Sequence, residues 1–241
     1  MKWYIPREHG AWAMLIVPYW IGAAISGINW FHAIFFIGVF SLYFAQGPLL
    51  TFVRNSKHKD VWPVFSIYTV VGFLFTVPFL FMEPMILLIG IMIIPLFSLN
   101  VYFAKTKRER LFINDVIAII ALSLLLLVAY QLGAGMIDLG AIIHFHWVVL
   151  FFISSVFHVK SLIREKKNVT FHKFSKVFHV AIIIYAMIFH WYAAALAFSV
   201  SALKTYFVPK EKLKKPMQIG IVEIINSVIF FIIIVISYYL I

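Results

Sequence analysis

The sequence predicts an all-α, polytopic bundle of about nine transmembrane helices. Three observations predict it: nine apolar stretches near spanning length, a strict alternation of basic and non-basic loops between them, and a composition that a soluble domain cannot bury. Of the 241 residues, 64% are apolar and only 12% are charged. At this length a folded chain has too little interior to hide that surface from water, so lipid is the solvent that suits it. The length allows a single transmembrane domain, 1–241, with no room for a second, soluble one.

The stretches run in order. Residues 8–26 follow Lys2 and Arg7 as a signal peptide would, but the charge pattern downstream is in phase with them, so they are read as a span. Next come 31–53 and 61–81, separated by Arg54, Lys57 and Lys59. Then come 85–104 and 111–132, separated by Lys105, Lys107, Arg108 and Arg110. The sixth, 141–163, leads into the basic run from Lys160 to Lys176. The seventh and eighth, 174–189 and 191–208, are squeezed, because Lys176 and Lys204 lie only 28 positions apart. Two full crossings need roughly 40 residues. Two short helices with snorkelling lysines fit this spacing, joined by an aromatic turn at Phe189–Tyr192; one long tilted helix is the other possibility, and it breaks the charge pattern. The ninth, 219–240, closes the chain.

All 20 lysines and arginines fall in the N-terminal segment, in every second connection after it, or at the span ends that border those connections. The intervening turns, Gly27–Trp30, Met82–Pro84, Gly133–Gly140 and the one near His190, hold none, and their only charges are Glu83 and Asp138. Basic loops stay in the cytoplasm. The expected placement is therefore multi-pass in a cytoplasmic membrane, with the N-terminus inside and the C-terminus outside. The formal charge of +11 belongs to this ladder, so no nucleic-acid partner is expected; the bilayer is. With no cysteine, disulfides, thiolate metal sites and thiol nucleophiles are excluded.

A weak repeat links Ser98–Arg110 (SLNVYFAKTKRER) with Ser201–Lys215 (SALKTYFVPKEKLKK). Each ends a span, and the next span begins with an acid, Asp115 or Glu223. Four helices return a chain to the same side, so the repeat would be parallel.

Ionisable groups inside spans are costly and mark candidate sites. Arg7, Glu8 and His9 open the first span. Gln46, Arg54 and Lys57 share a face of the second. Asn100 and Tyr102 end the fourth; Asn114 and Asp115 begin the fifth. Ser154, His158, Ser161 and Glu165 form one stripe at i, i+4, i+7 and i+11, beside Lys160 and Arg164. Glu223, Asn226 and Ser227 share a face of the ninth. All lie toward the basic-loop end. Any one of them can be an ordinary packing group or interface ion pair. Together they predict a polar, basic cavity open to the cytoplasm. Within it Arg54, Lys57, Lys160, Arg164, Ser154 and Ser161 would hold an anionic head group, and His158 would act as acid or base. No metal site is expected: His144 and His146 point to different faces of a helix, and His172 and His179 share a face without a matching pair.

Ile5–Trp12 (IPREHGAW), His158–Lys166 (HVKSLIREK) and Ile219–Ser227 (IGIVEIINS) resemble the YwiC-like family of bacterial membrane proteins, and the resemblance extends along the chain. That family carries no firmly assigned activity. The architecture is also similar to the UbiA superfamily of intramembrane prenyltransferases, which implies nine spans and a cytoplasm-facing cavity binding a prenyl diphosphate through magnesium. The aspartate-rich motifs of that superfamily would fall in Gln46–Asp60 and Ser154–Glu165. Arg54, Lys57, His58, His158, Lys160 and Arg164 stand there instead, and Asp60 and Glu165 alone do not rebuild a two-magnesium site. The expectation is therefore a protein binding or acting on an isoprenoid or other anionic lipid without those aspartates. The alternative is a small-molecule transporter or a respiratory-chain accessory protein.

Overall fold

The computed structural model describes residues 3–4, 9–208 and 216–240. Among them are nine α-helices: α1 (His9–Ser26), α2 (Trp30–Arg54), α3 (Trp62–Met82), α4 (Pro84–Lys105), α5 (Phe112–Ala134), α6 (Leu139–Ile163), α7 (Val169–Ile188), α8 (Tyr192–Phe207) and α9 (Pro216–Leu240). A single 3-10 turn, Lys59–Val61, precedes α3, and no strand occurs among the described residues. Arg7, Glu8 and the lysines from Lys210 to Lys215 lie outside the described residues, and of His9 only the place at the start of α1 is described.

Seven of these helices are long and apolar enough to cross a bilayer. The shorter ones are α1, whose described apolar part is Ala11–Ser26, and the 16-residue α8. At 1.5 Å per residue α8 reaches roughly 24 Å, short of a full hydrocarbon core. The squeezed pair is thus two helices, not one, with His190 in the left-handed region (φ 59°) at the turn between them. Helix α7 starts five residues earlier than its apolar pattern indicates, because Asn168 caps it by accepting from the Phe171 N–H at 3.0 Å. Its first turns are therefore amphipathic and carry Lys173 and Lys176.

The helices form two packing units. One contains residues 18–142 and the other contains 9–17 with 143–240. The boundary follows the four-helix period of the repeat: α2–α5 in the first unit, nearly all of α6 with α7–α9 in the second.

In the first unit the non-basic ends are tied by neutral hydrogen bonds. Asn29 and His32 make a capping box at the start of α2. The buried His32 ring accepts from the Asn29 N–H at Nδ1 (3.2 Å), so Nε2 carries the proton and donates to the Ala129 carbonyl of α5 at 2.9 Å. Tyr19 of α1 donates to the His32 carbonyl at 2.8 Å. One neutral histidine thus joins three helices with every polar atom satisfied. The two acids of this side are also engaged: Gln131 donates to Glu83 at 2.9 Å, and Tyr130 donates to Asp138 at 2.8 Å.

In the second unit an aromatic layer holds α6, α8 and α9 together. Phe151 and Phe230 stack with centroids 3.9 Å apart, Phe198 lies alongside Phe230, and all three are fully buried. Outward faces stay apolar: Leu87, Leu88, Ile91, Met92 and Ile94 on α4, and Ile221, Ile225, Ile232 and Ile236 on α9, are exposed. Faces of this kind on helices of spanning length require lipid around them. The chain is a multi-pass membrane protein embedded in the bilayer.

Candidate functional site

One turn beyond the aromatic layer, toward the basic-loop end, the interior of the second unit becomes polar. Counting on from Phe151 along α6 reaches Ser155 and His158; from Phe198 along α8, Ser201 and Lys204; back from Phe230 along α9, Asn226 and Glu223. Each step is one or two turns on the same face, so the periodicity that buries the phenylalanines also aims these side chains inward.

Glu223 is the centre. It is 4% exposed. Lys204 Nζ donates to its Oε1 at 2.6 Å, His158 Nε2 stands 3.8 Å from the same oxygen, and Ser155 Oγ donates to Oε2. Two helices, α6 and α8, therefore converge on a carboxylate carried by a third, α9. Lys204 is itself 9% exposed, so both charges are withdrawn from water and stabilise each other at short range. On the far side of α9's polar face, Asn226 and Ser201 form a reciprocal pair: Ser201 donates to Oδ1 at 3.2 Å and accepts from Nδ2 at 3.1 Å. Ser227, one turn past Glu223, donates to the Glu223 carbonyl at 2.8 Å. It also lines an apolar groove of about 210 Å³ with Trp12, Ala13, Ile16, Val17, Ile224 and Val228.

The residues expected to hold an anionic head group are distributed as follows. Ser154 and Ser161 face inward, but their hydroxyls donate to the Phe151 and His158 carbonyls of their own helix, both at 2.7 Å. Lys160 is buried, whereas Arg164 and Lys57 are exposed. Arg54 is half-exposed and makes a bidentate pair with Glu109, at the end of the loop after α4. The sequence offered no such partner for Arg54, because Glu109 stands amid a basic run; its charge is met within the first unit. Asn100 donates to its own helix at Leu96, Asn114 to the Glu109 carbonyl, and Tyr102 is exposed. Asp115 lies half-buried in the first turn of α5, where the helix dipole favours an acid. Gln46 is half-buried in α2. At the N-terminus Tyr4 donates to Asp60, a bond that holds the tyrosine hydroxyl protonated above its usual range.

Of the expected residues, the structure brings together His158, Glu223 and Asn226. It adds Ser155, Ser201 and Lys204, which the sequence reading did not single out. In the sequence Lys204 reads as one of the loop lysines because a basic run follows it; the unmet need of Glu223 for a buried cation is the signal that sets it apart.

The chain matches the YwiC-like protein family over residues 5–130. It is 34% identical over 231 residues to the uncharacterised protein YwiC of Bacillus subtilis, covering 95% of this chain and 96% of the relative. An uncharacterised protein of Haemophilus influenzae is 29% identical over 238 residues, covering 98% and 99%. No solved structure matches, so the likeness to prenyltransferases rests on sequence architecture alone. The Glu223 site falls beyond the stretch matched to the family and within the stretch shared with both relatives. With its family match spanning α1 to α5 and its relatives aligned nearly end to end, the chain belongs to the YwiC-like family.

Proposed function

We propose that this membrane protein binds an anionic amphiphile, an isoprenoid phosphate or other anionic lipid, at the basic-loop end of α6, α8 and α9. The observation that carries the reading is the convergence of Lys204, His158 and Ser155 on the buried Glu223 carboxylate, one turn from an apolar groove that shares Ser227. The carboxylate occupies a place built for an anion. A head group entering there takes over the ammonium and hydroxyl donors, and charge-assisted bonds of this kind are the strong class. The tail lies along the groove. Lys160, buried on the last turn of α6, and Arg164, exposed just past its end, supply further positive charge, and His158 is the residue placed to move a proton if a reaction follows. The test is recovery of such a molecule with the purified protein, and its loss when the ion pair is replaced by Lys204→Met together with Glu223→Leu.

The reading puts the basic-loop end in the cytoplasm, on the support of the charge ladder. Because the chain has no cysteine, single cysteines report orientation directly. Those at Lys57, Lys107 and Lys167 should be shielded from an impermeant thiol reagent in intact cells, and those at Asn29, Glu83 and Asp138 should label. Labelling of the first set with shielding of the second would invert the topology.

A second reading, transport of a small solute, is favoured by one observation: Lys204 and Glu223 already neutralise each other, as titratable pairs in transporters do. It shares the site and differs in what leaves it.

A further inference from the structure

Next to the ion pair lies a histidine that no part of the proposed function uses. His179 of α7 is fully buried. Its Nδ1 is 2.7 Å from the Ser175 carbonyl, and its Nε2 is 3.2 Å from Thr205 Oγ1 on α8. Thr205 Oγ1 is in turn 2.9 Å from the Ser201 carbonyl.

Counting protons along this chain decides between two states. A carbonyl only accepts, so Nδ1 carries a hydrogen. If the ring is neutral, Nε2 is a bare acceptor and needs the Thr205 proton. Thr205 has one proton, and the Ser201 carbonyl claims it too. In the neutral state one of the two contacts is therefore lost. If the ring is an imidazolium, both nitrogens donate: Nδ1 to Ser175, Nε2 to Thr205, and Thr205 passes its own hydrogen to Ser201. Every contact in the structure is then satisfied at once. The hydrogen-bond geometry is complete only with the additional proton.

We propose that His179 is a buried proton-binding site, and that it takes up the proton which accompanies an anion into the neighbouring Glu223 site. The second clause rests on the anion-binding reading above; the first does not. The charged groups acting on the ring are Lys204 on α8 and Glu223 on α9, and on α6 the titratable neighbour of Glu223 is His158. Burial, the strongest influence, and Lys204 both oppose a charge on His179; the Ser175 carbonyl and Glu223 favour it. An anion arriving at Lys204 adds negative charge beside the ring, so anion and proton bind cooperatively. The proton thereby offsets one of the negative charges that the head group brings into the membrane interior.

The experiment is nitrogen-15 NMR of histidine-labelled full-length protein in nanodiscs, with the His179 signals assigned by His179→Asn. Spectra are taken between pH 4.5 and 8.5 with no added ligand, and again with an isoprenyl phosphate. The neutral ring should be the Nδ1–H tautomer and should become doubly protonated within this range. Thr205→Val removes the acceptor that serves the imidazolium while keeping the shape. At the pH where half of the wild-type rings are charged, the charged-to-neutral ratio in this variant should fall about fivefold, the equivalent of one ordinary hydrogen bond. Thr205→Ser, which keeps the hydroxyl, should restore it. A ring that stays neutral across the range, or a ratio unchanged by Thr205→Val, overturns the proton site. If the ring titrates but the added phosphate does not raise its charged fraction, the coupling is wrong and the proton site stands.

Discussion

Lys204→Met should destabilise the protein by about 3–5 kcal/mol, because it strands the Glu223 carboxylate in the interior with only a serine hydroxyl and a histidine beside it. Glu223→Leu should do comparable damage by stranding the ammonium. The double variant Lys204→Met with Glu223→Leu should recover most of the loss, since two well-packed apolar groups of similar volume can replace a buried pair at little cost. Equilibrium unfolding in detergent, taken round this cycle, measures the coupling directly. Near-additive single effects would mean that the two groups do not depend on each other in the fold.

Gly22→Val should prevent α1 from seating against α5. A Cβ built at Gly22 would stand 2.1 Å from the Leu126 carbonyl oxygen and 2.9 Å from its carbon. The obstacle is helical backbone, which cannot rotate away as a side-chain tip can. Overpacking against movable neighbours costs about 1–3 kcal/mol, and displacing two helices should exceed that. Gly90→Ala on α4 is the matched control, because nothing lies within 4 Å of the added carbon; it should be neutral or slightly stabilising. The readout is the fraction of monodisperse protein after mild heating in detergent. Equal behaviour of the two variants would contradict the close approach of α1 and α5.

The helices were legible because their signal is local. Hydropathy and the charge ladder placed nine segments, and most observed bounds fall within two or three residues of the apolar stretches. The early start of α7 was not legible from hydropathy, since its first turn is polar and is held by the Asn168 cap rather than by burial. The polar face of α9 was also readable: Glu223, Asn226 and Ser227 follow helical spacing, and all three are buried. What that face meets was not. The stripe on α6 included His158, which lies beside Glu223, yet the serine that reaches Glu223 is Ser155, next to Ser154 and about 100° round the helix from it. Which of two adjacent serines faces a partner depends on how the helices are rotated, and that is set by the phenylalanine layer far along the chain. Lys204 and Thr205 were hidden in a run that reads as solvated charge. Arg54 and Glu109 are 55 positions apart, so their pairing is a property of the fold and of no motif.

The account turns on whether the Glu223 pocket is a ligand site and not only an internal ion pair, and mass spectrometry of the lipids retained by the purified protein tests this most directly. Wild-type protein and the Lys204→Met, Glu223→Leu double variant, predicted above to be folded, would be purified identically from native membranes and extracted. The account predicts an anionic amphiphile retained at close to one molecule per chain by the wild type and lost from the double variant. Equal amounts of the same lipids in both preparations, or no anionic amphiphile in either, would contradict it.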